Sequence, residues 1–314
     1  MPRSPEAPAA RQSPTAPLIA LVLDGPDWHA RELTKAFAAL GAHAVPVALA
    51  ACSIETTRGF GLHVAGCGDR LPDAVLVREM SGGTFQAVTL RLGVLHALRE
   101  LGVTVWNDAR AIERCVDKSM TSFLLARAGI PTPETWVTES RGAAAAIVRR
   151  EASPLVLKPL FGSQGRGLKL VRTPADLPSP PEVAGVYYLQ RYVAVERDGF
   201  RDFRLLVCQG RVVAAMMRHA AHWITNVKRG GRPVAAFADA AMKDLALRAA
   251  RAVGADFAGV DILHEADGRP MVLEVNSMPA WSGLQKVTPV RIASVMAGEL
   301  MAALRERRQH GALG

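Results

Sequence analysis

The chain has 314 residues, 49% hydrophobic and 21% charged, with a formal net charge of +9 and a pI near 9.9. That length accommodates more than one domain with sizeable cores, and no stretch approaches the ~18 consecutive apolar residues that span a bilayer. The four cysteines, Cys52, Cys67, Cys115 and Cys208, show no C-x-x-C spacing, which argues against a disulfide framework or a zinc site and fits a reducing compartment, while the positive charge favours anionic partners such as nucleotides, acidic small molecules or nucleic acid.

Residues 1–17, rich in Pro, Ala and Arg, read as a disordered tail. The apolar run 18–23 is too short for a signal-peptide core and reads as a first strand, so a cytoplasmic enzyme is expected. A turn at Asp24-Gly25-Pro26 leads into a helix over about 29–40 that stops at Gly41. Strands follow at 45–50 and 74–77, then a helix over 85–101 ending at Gly102, and a short strand at 104–106. This alternation predicts an α/β domain with a doubly wound parallel sheet over 18–115. A helix at 118–128 opens a second unit, 116–185, whose strands at 155–158 and 168–172 flank a glycine loop. The third unit, 186–304, has strands at 187–190, 203–208 and 212–218, a helix at 239–253 and a hairpin. In that helix Met242, Leu245, Ala246, Ala249 and Val253 share one face. Residues 305–314 form a basic tail, and the second and third units together read as α+β.

Residues 271 to 279 read Met-Val-Leu-Glu-Val-Asn-Ser-Met-Pro, and Asp261 lies thirteen positions before Glu274. Side chains at i and i+2 of a strand share a face, so Glu274 and Asn276 project together. The run Phe257-Ala258-Gly259-Val260-Asp261-Ile262-Leu263 reads as the partner strand across a turn at 265–270. Two carboxylates and a carboxamide among Val, Leu and Ile are costly unless something coordinates them. Hard oxygen donors in small number suit Mg²⁺, which completes its shell with water and nucleotide phosphates. The alternative is a surface hairpin with ordinary polar residues.

The segment Phe161-Gly162-Ser163-Gln164-Gly165-Arg166-Gly167 begins three residues after Lys158. Small residues let backbone N–H groups cradle phosphate oxygens. The loop lacks the Gly-Lys-Ser/Thr ending of a P-loop and opens no helix, and a tight hairpin would use the same residues. Lys158 closes the apolar run 154–157, where a phosphate would be its natural partner. Lys118 reads on spacing alone as a solvated first-turn lysine. Asp202-Phe203-Arg204 puts an acid and a base on one strand face. Arg218, His219, Asn226, Lys228 and Arg229 form a basic cluster that is either a ligand surface or a solvated loop. His219 and His222 have no Cys or third His at ligand spacing and read as surface residues.

In this order, Lys118, Lys158 with the glycines of 162–167, Asp202-x-Arg204, Arg218, Asn226 and Asp261…Glu274-x-Asn276 resemble the ATP-grasp superfamily. Within it the chain is most similar to the RimK-like α-L-glutamate ligases, over about residues 18–292. Two stretches resemble the tetrahydromethanopterin:α-L-glutamate ligase subgroup. One runs from Val88-Thr89-Leu90-Arg91 through Ala111-Ile112-Glu113-Arg114-Cys115-Val116-Asp117-Lys118, and the other is Lys158-Pro159-Leu160-Phe161-Gly162-Ser163.

The resemblance implies a two-subdomain ATP-grasp fold after the first domain. Lys118 and Lys158 would contact ATP phosphates beneath a lid of Gly162, Ser163, Gln164, Gly165 and Gly167. Gln190, Arg191, Tyr192 and Val193 would lie against adenine through their backbone, with Asp202 as the ribose-side acid. Arg204, Arg218 and Asn226 would face the triphosphate and the reacting carboxylate, and Asp261, Glu274 and Asn276 would hold two Mg²⁺ ions, with Mn²⁺ as the substitute metal. Two positions depart from the pattern: Arg191 stands where relatives usually carry an acid, and Ile224 where they often carry Arg or Lys. Lys228 or Arg229 would have to supply that second charge.

The expected reaction is ATP-dependent carboxylate–amine ligation. The acceptor carboxylate attacks the γ-phosphorus to give an acyl phosphate and ADP, and the amine of L-glutamate then displaces phosphate. Arg78 and Asp24 sit at C-terminal ends of first-domain strands, where α/β proteins bind ligands, and with Arg229 they are the candidate substrate contacts. The resemblance points to a tetrahydromethanopterin- or methanofuran-type one-carbon cofactor as acceptor, with a ribosomal or carrier-protein C-terminus as the alternative. ATP, L-glutamate and that acceptor are the expected partners, without membrane or nucleic acid, and a homo-oligomer stays open. The rivals are a non-catalytic ATP-binding regulatory module and a nucleic-acid binder, although with 5% aromatics no basic stripe carries interleaved rings.

Overall fold

Leu18–Val22 is apolar throughout and forms the buried strand β1, followed by α1 (Trp28–Ala39), which Asp27 caps by accepting from the Ala30 N–H. Next come β2 (His43–Val47), the two-residue strands β3 (Ser53–Ile54) and β4 (Leu62–His63), β5 (Ala74–Val77), α2 (Phe85–Glu100) and β6 (Thr104–Trp106). The sheet order is β2-β1-β5-β6, all parallel. Period-two alternation sends Ile19 and Leu21 toward Leu33 and Phe37 of α1, while Leu18, Ala20 and Val22 meet Val94, Leu95 and Leu98 of α2. Helices on both faces make this the expected doubly wound domain. The computed structural model describes residues 16–57, 59–162, 164–193 and 199–311, so most of the N-terminal tail and the last three residues lie outside the described residues.

Helices α3 (Ala109–Val116) and α4 (Lys118–Arg127) lead to a second sheet of β7 (Thr135–Thr138), β8 (Leu155–Lys158), β9 (Lys169–Val171) and β10 (Tyr187–Arg191). Its order is β7-β10-β8-β9, antiparallel, with α5 (Arg141–Arg150) packed on it through Ala144 and Val148. The third sheet contains β11 (Phe200–Cys208), β12 (Arg211–Ala220), β13 (Arg232–Ala235), β14 (Phe257–His264) and β15 (Pro270–Asn276), ordered β13-β12-β11-β14-β15. Helix α6 (Ala240–Val253) lies on it, and all five residues assigned to its core face are buried. Short α7 (Ser282–Gln285) and long α8 (Ile292–Gly311) end the chain.

Three local outcomes differ from the sequence reading. The strand expected at 45–50 ends at Val47, and a 3₁₀ turn at Leu49–Ala51 buries Leu49. Elements β3, β4, α3, β7, α5, β13, α7 and α8 are additions. Helix α8 runs past the boundary drawn at 304 and returns to the first domain, where Ile292, Met296, Leu300 and Leu304 join α1 on one face of the parallel sheet. Among the described residues no helix is long and apolar enough to cross a membrane, and the four cysteines are free.

Asn107, fully buried just after β6, ties the first sheet to the third. Its Oδ1 accepts from the N–H groups of Asp256 (2.6 Å) and Phe257 (3.1 Å), and its Nδ2 donates to the carbonyls of Phe257 (2.8 Å) and Ser277 (2.6 Å). Those groups stand at the start of β14 and just beyond the end of β15. Asn107→Ala would strand four backbone groups in the interior, at ~1–3 kcal/mol for each group left unpaired. The urea midpoint should fall by the equivalent of ~3 kcal/mol or more, with the m-value unchanged; an unchanged midpoint would mean these strand ends are held some other way.

Candidate active site

Strands β14 and β15 pair with Asp261 opposite Glu274 and Gly259 opposite Asn276. A register shift after Asp261 pairs Ile262 with Val272, making Leu273 the extra residue of a bulge. Directly opposed residues share a face, so Asp261, Glu274 and Asn276 project to one side, as the spacing predicted. On the other flank of β14, Arg204 of β11 lies opposite Asp261, and Arg218 of β12 lies opposite Asp202.

These registers build a buried ionic chain. Arg204 Nε and Nη2 each donate to Asp261 at 2.7 Å. Arg218 Nε donates to Asp202 Oδ1 at 2.8 Å, and its Nη2 reaches Asp202 Oδ2 and, at 2.9 Å, Asp261 Oδ2. Burial pushes the Asp261 carboxyl up, but Arg204 and Arg218 outweigh it and hold the pKa at about 2. Asp202, Arg218 and Asp261 are 2–3% exposed. Two assignments shift accordingly. Asp202, expected beside the ribose, has both oxygens on Arg218. Arg218, expected at the triphosphate, instead holds Asp202 and Asp261, because a buried guanidinium requires paired counter-charge.

The donor set fits a small hard cation. Glu274 is part-buried, and Asn276 Nδ2 donates to Gly259 O at 3.5 Å, so the carboxamide oxygen is the atom available as a ligand. Among the described residues no group of three or more His, Cys, Asp or Glu could hold a metal. Two carboxylates and a carboxamide therefore suit an ion that takes few protein ligands and completes its shell with water and phosphate. They do not suit a cage built wholly from protein.

Lys158 closes β8 with its ammonium inside, 2.5 Å from Gln190 Oε1 and 5.9 Å from the Tyr188 ring centroid. Burial lowers its pKa to about 8 against the pull of Glu274 and Asp261, with Lys118 adding to the fall. Lys118 is the first residue of α4 after the cap Asp117, yet it is not a solvated first-turn lysine. Its Nζ donates to the carbonyls of Gly162 (2.7 Å) and Leu160 (3.3 Å), and burial lowers its pKa while Glu274 and Asp117 oppose. Two largely buried ammonium groups thus flank Glu274, a setting suited to polyanionic phosphate.

The glycine loop spans β8 and β9. At Gly165, φ is +68°, and a Cβ there would lie 2.7 Å from both Asn226 Oδ1 and Ile224 Cγ2. Only glycine lets the loop rest on the 224–229 segment. Arg229 Nη2 donates to Gly165 O at 3.4 Å. Gln164 and Gly167 also have positive φ, and Ser163 lies outside the described residues. The departure at Ile224 thus places an apolar contact under the loop.

Gln190 is buried on Lys158, and Arg191 points outward to Glu134 and, at 3.1 Å, Glu151. The N–H groups of Arg191 and Tyr192 already donate to Glu134 O (2.8 Å) and Pro154 O (3.0 Å), so those two are not open to a purine edge; Val193 follows them. In the first domain, Asp24 Oδ1 accepts from Ser81 Oγ at 2.9 Å, and buried Arg78 reaches Met278 O, just past β15, at 3.5 Å. His29, Asn107 and Trp281 were passed over in the sequence. A histidine in the first turn of α1 and an asparagine directly after the buried strand β6 were the available signals.

The architecture is that of ATP-grasp enzymes. The structure of a RimK-domain ATP-grasp protein from Sphaerobacter thermophilus aligns with a TM-score of 0.68 at 23% identity, covering 89% of this chain and 98% of that one. Residues 115–300 match the RimK-like ATP-grasp domain. Tetrahydromethanopterin:alpha-L-glutamate ligase of Methanosarcina acetivorans is 32% identical over 304 residues, 84% of this chain and 92% of its own length. Ribosomal protein bS6–L-glutamate ligase of Salmonella paratyphi B is 37% identical over 238 residues, 73% of this chain and 77% of its own. The chain belongs to the RimK-like ATP-grasp family and is an ATP-grasp ligase.

Proposed function

We propose that the acceptor of this ATP-dependent α-L-glutamate ligase is a carboxylate on a one-carbon cofactor of the tetrahydromethanopterin or methanofuran type. The observation that carries the chemistry is the Asp261–Glu274 pair, with Asn276 beside it, in the field of buried Lys158 and half-buried Lys118. Lys118 and Lys158 hold the ATP phosphates, and the loop with Gly162, Ser163, Gln164, Gly165 and Gly167 covers them and keeps water from the acyl phosphate. Backbone groups near Val193, just past the end of β10, with Gln190, Arg191 and Tyr192, border the adenine. Asp261, Glu274 and Asn276 would hold Mg²⁺, two ions in our reading, and the metal would neutralise charge gathering on phosphoryl oxygens.

Arg204 faces the reacting carboxylate, while Arg218 acts through Asp202 and Asp261. Asn226 and Arg229 support the loop above the phosphates, and Arg78 and Asp24 lie on the substrate side. Similarity to the Methanosarcina relative across 84% of the chain supports the cofactor acceptor. A protein C-terminus is the second reading, supported by the 37% identity to the Salmonella relative.

Mass spectrometry after incubation with ATP, Mg²⁺, L-glutamate and a panel of both acceptor types tests this reading. The expected products are the glutamylated cofactor, ADP and phosphate. Glutamylation of protein C-termini alone would select the second reading, and AMP with pyrophosphate would overturn the acyl-phosphate route.

A further inference from the structure

Strand β1 continues through α1 to β2 on one side, and β5 continues through α2 to β6 on the other. Open α/β sheets bind ligands at such a switch point, beyond the C-terminal strand ends. Here that crevice lies against the segment following β15. His29 Nε2 is 3.2 Å from the backbone nitrogens of both Trp281 and Ser282. Those groups only donate, so Nε2 carries the lone pair and Nδ1 the proton, which goes to Asp27 Oδ2 at 2.7 Å.

This tautomer leaves Arg78 poorly satisfied. Its Nη2 lies 3.3 Å from His29 Nδ1, donor against donor. Asp27 is 3.7 Å away, with its oxygens already on His29 and the Ala30 N–H. Among the described residues, Nη1 has only the long 3.5 Å contact to Met278 O, and Nε is buried without a partner. Trp281, whose ring centroid is 5.4 Å from Arg78 Cζ, also has a buried, unpartnered indole N–H. Arg218, by contrast, meets two carboxylates. Arg78 is 7% exposed, and burial outweighs Asp27 and Glu79 in lowering its pKa. Lys228 adds a further positive charge near His29.

We propose that this crevice binds a carboxylate of one reactant, away from the bond being formed, with Arg78 and the Trp281 indole N–H as donors and His29 as the positioning residue. An adjacent pair of unpaired donors, one cationic, matches the two oxygens of a carboxylate. Met278, which Arg78 reaches, lies two residues beyond Asn276, so the crevice adjoins the end of β15 that carries Glu274 and Asn276. The proposal rests on the ligase reading above. Its carboxylate comes either from L-glutamate or from a second carboxylate of the acceptor.

The test measures KM for ATP, L-glutamate and tetrahydromethanopterin, used as the acceptor probe, in the wild type and in Arg78→Met, Arg78→Lys and Trp281→Phe. A parallel assay replaces L-glutamate with hydroxylamine, whose nitrogen attacks the acyl carbon and expels phosphate to leave the acceptor hydroxamate. Arg78→Met is expected to raise one carboxylate reactant's KM about 10- to 100-fold while the ATP KM holds. Arg78→Lys should recover part of the loss. Trp281→Phe, which removes the N–H and keeps the ring contact, should raise the same KM by less.

If L-glutamate occupies the crevice, Arg78→Met keeps the wild-type rate of hydroxamate formation. If the acceptor occupies it, hydroxamate formation falls as well. Unchanged KM values for both carboxylate reactants overturn the proposal, as does an equal rise in the ATP KM; should Arg78→Met fail to fold, Trp281→Phe decides alone. A wild-type enzyme that makes no tetrahydromethanopterin hydroxamate overturns the cofactor-acceptor reading, a failure distinct from the others.

Discussion

Glu274→Ala should abolish turnover while the protein stays folded. Glu274 is part-buried and stands opposite Asp261 in the hairpin, with Lys118 and Lys158 in its field. Asp261 cannot replace it, because in this reading it already holds the metal itself while its carboxylate is shared with Arg204 and Arg218. Losing the carboxylate removes a metal ligand and the counter-charge of two buried ammonium groups. Metal-ion stabilisation is worth several kcal/mol, so kcat should fall on the order of 10³-fold or more. Removing a part-exposed acid leaves the hydrophobic core intact, so Tm should stay near the wild-type value. Asn276→Asp should be milder, since it retains an oxygen donor. ADP release at saturating ATP is the measurement, and a wild-type rate in Glu274→Ala would remove the metal assignment.

Lys158→Met should raise the ATP KM and lower kcat together, because a phosphate contact present in both ground and transition states affects both. Lys158→Arg should rescue poorly, since a planar fork cannot take the place of a compact ammonium packed on Gln190 and Tyr188. The pH dependence has two opposite signs. The free enzyme's Lys158 loses its proton near pH 8, so kcat/KM for ATP should fall as pH rises through about 8, and that limb should vanish in Lys158→Met. Stability runs the other way. The folded pKa of about 8 lies below the 10.5 of an ordinary lysine, so the unfolded chain binds more protons between these values. The burial cost is therefore complete below about pH 8 and is relieved as pH climbs toward 10.5. A flat kcat/KM profile through pH 8 in the wild type would show that Lys158 does not meet the phosphates.

Much of the site was legible because its signals are local. The i, i+2 relation of Glu274 and Asn276 and the antiparallel partner carrying Asp261 follow from strand period and turn chemistry alone. Gly165 was legible as part of a glycine loop, but the reason for it, an Asn226 and Ile224 contact that leaves no room for Cβ, joins two distant segments. The side-chain pairing was also hidden. Asp202-x-Arg204 indicated one shared face, yet the cross-strand registers of β11 decided that Arg204 meets Asp261 and Asp202 meets Arg218. Lys118 shows the same limit, since only the returning loop at Gly162 buries a first-turn lysine.

By itself, then, the sequence determined the strand–helix alternation of the first domain, the acid–amide hairpin and Lys158 beside a glycine loop through short-range periodicity and motif spacing, and the ligase family through resemblance to known proteins. The tertiary structure alone decided which charges neutralise one another, and that helix α8 closes the first sheet beside α1. It also decided that Asn107 ties the start of β14 to the end of β15 and that, among the described residues, Arg78 is left without adequate partners above Trp281. These contacts join residues far apart in sequence, 170 positions for Asn107 and Ser277 and 200 for Arg78 and Met278. Their satisfaction depends on donor and acceptor geometry across domains, which no local pattern encodes.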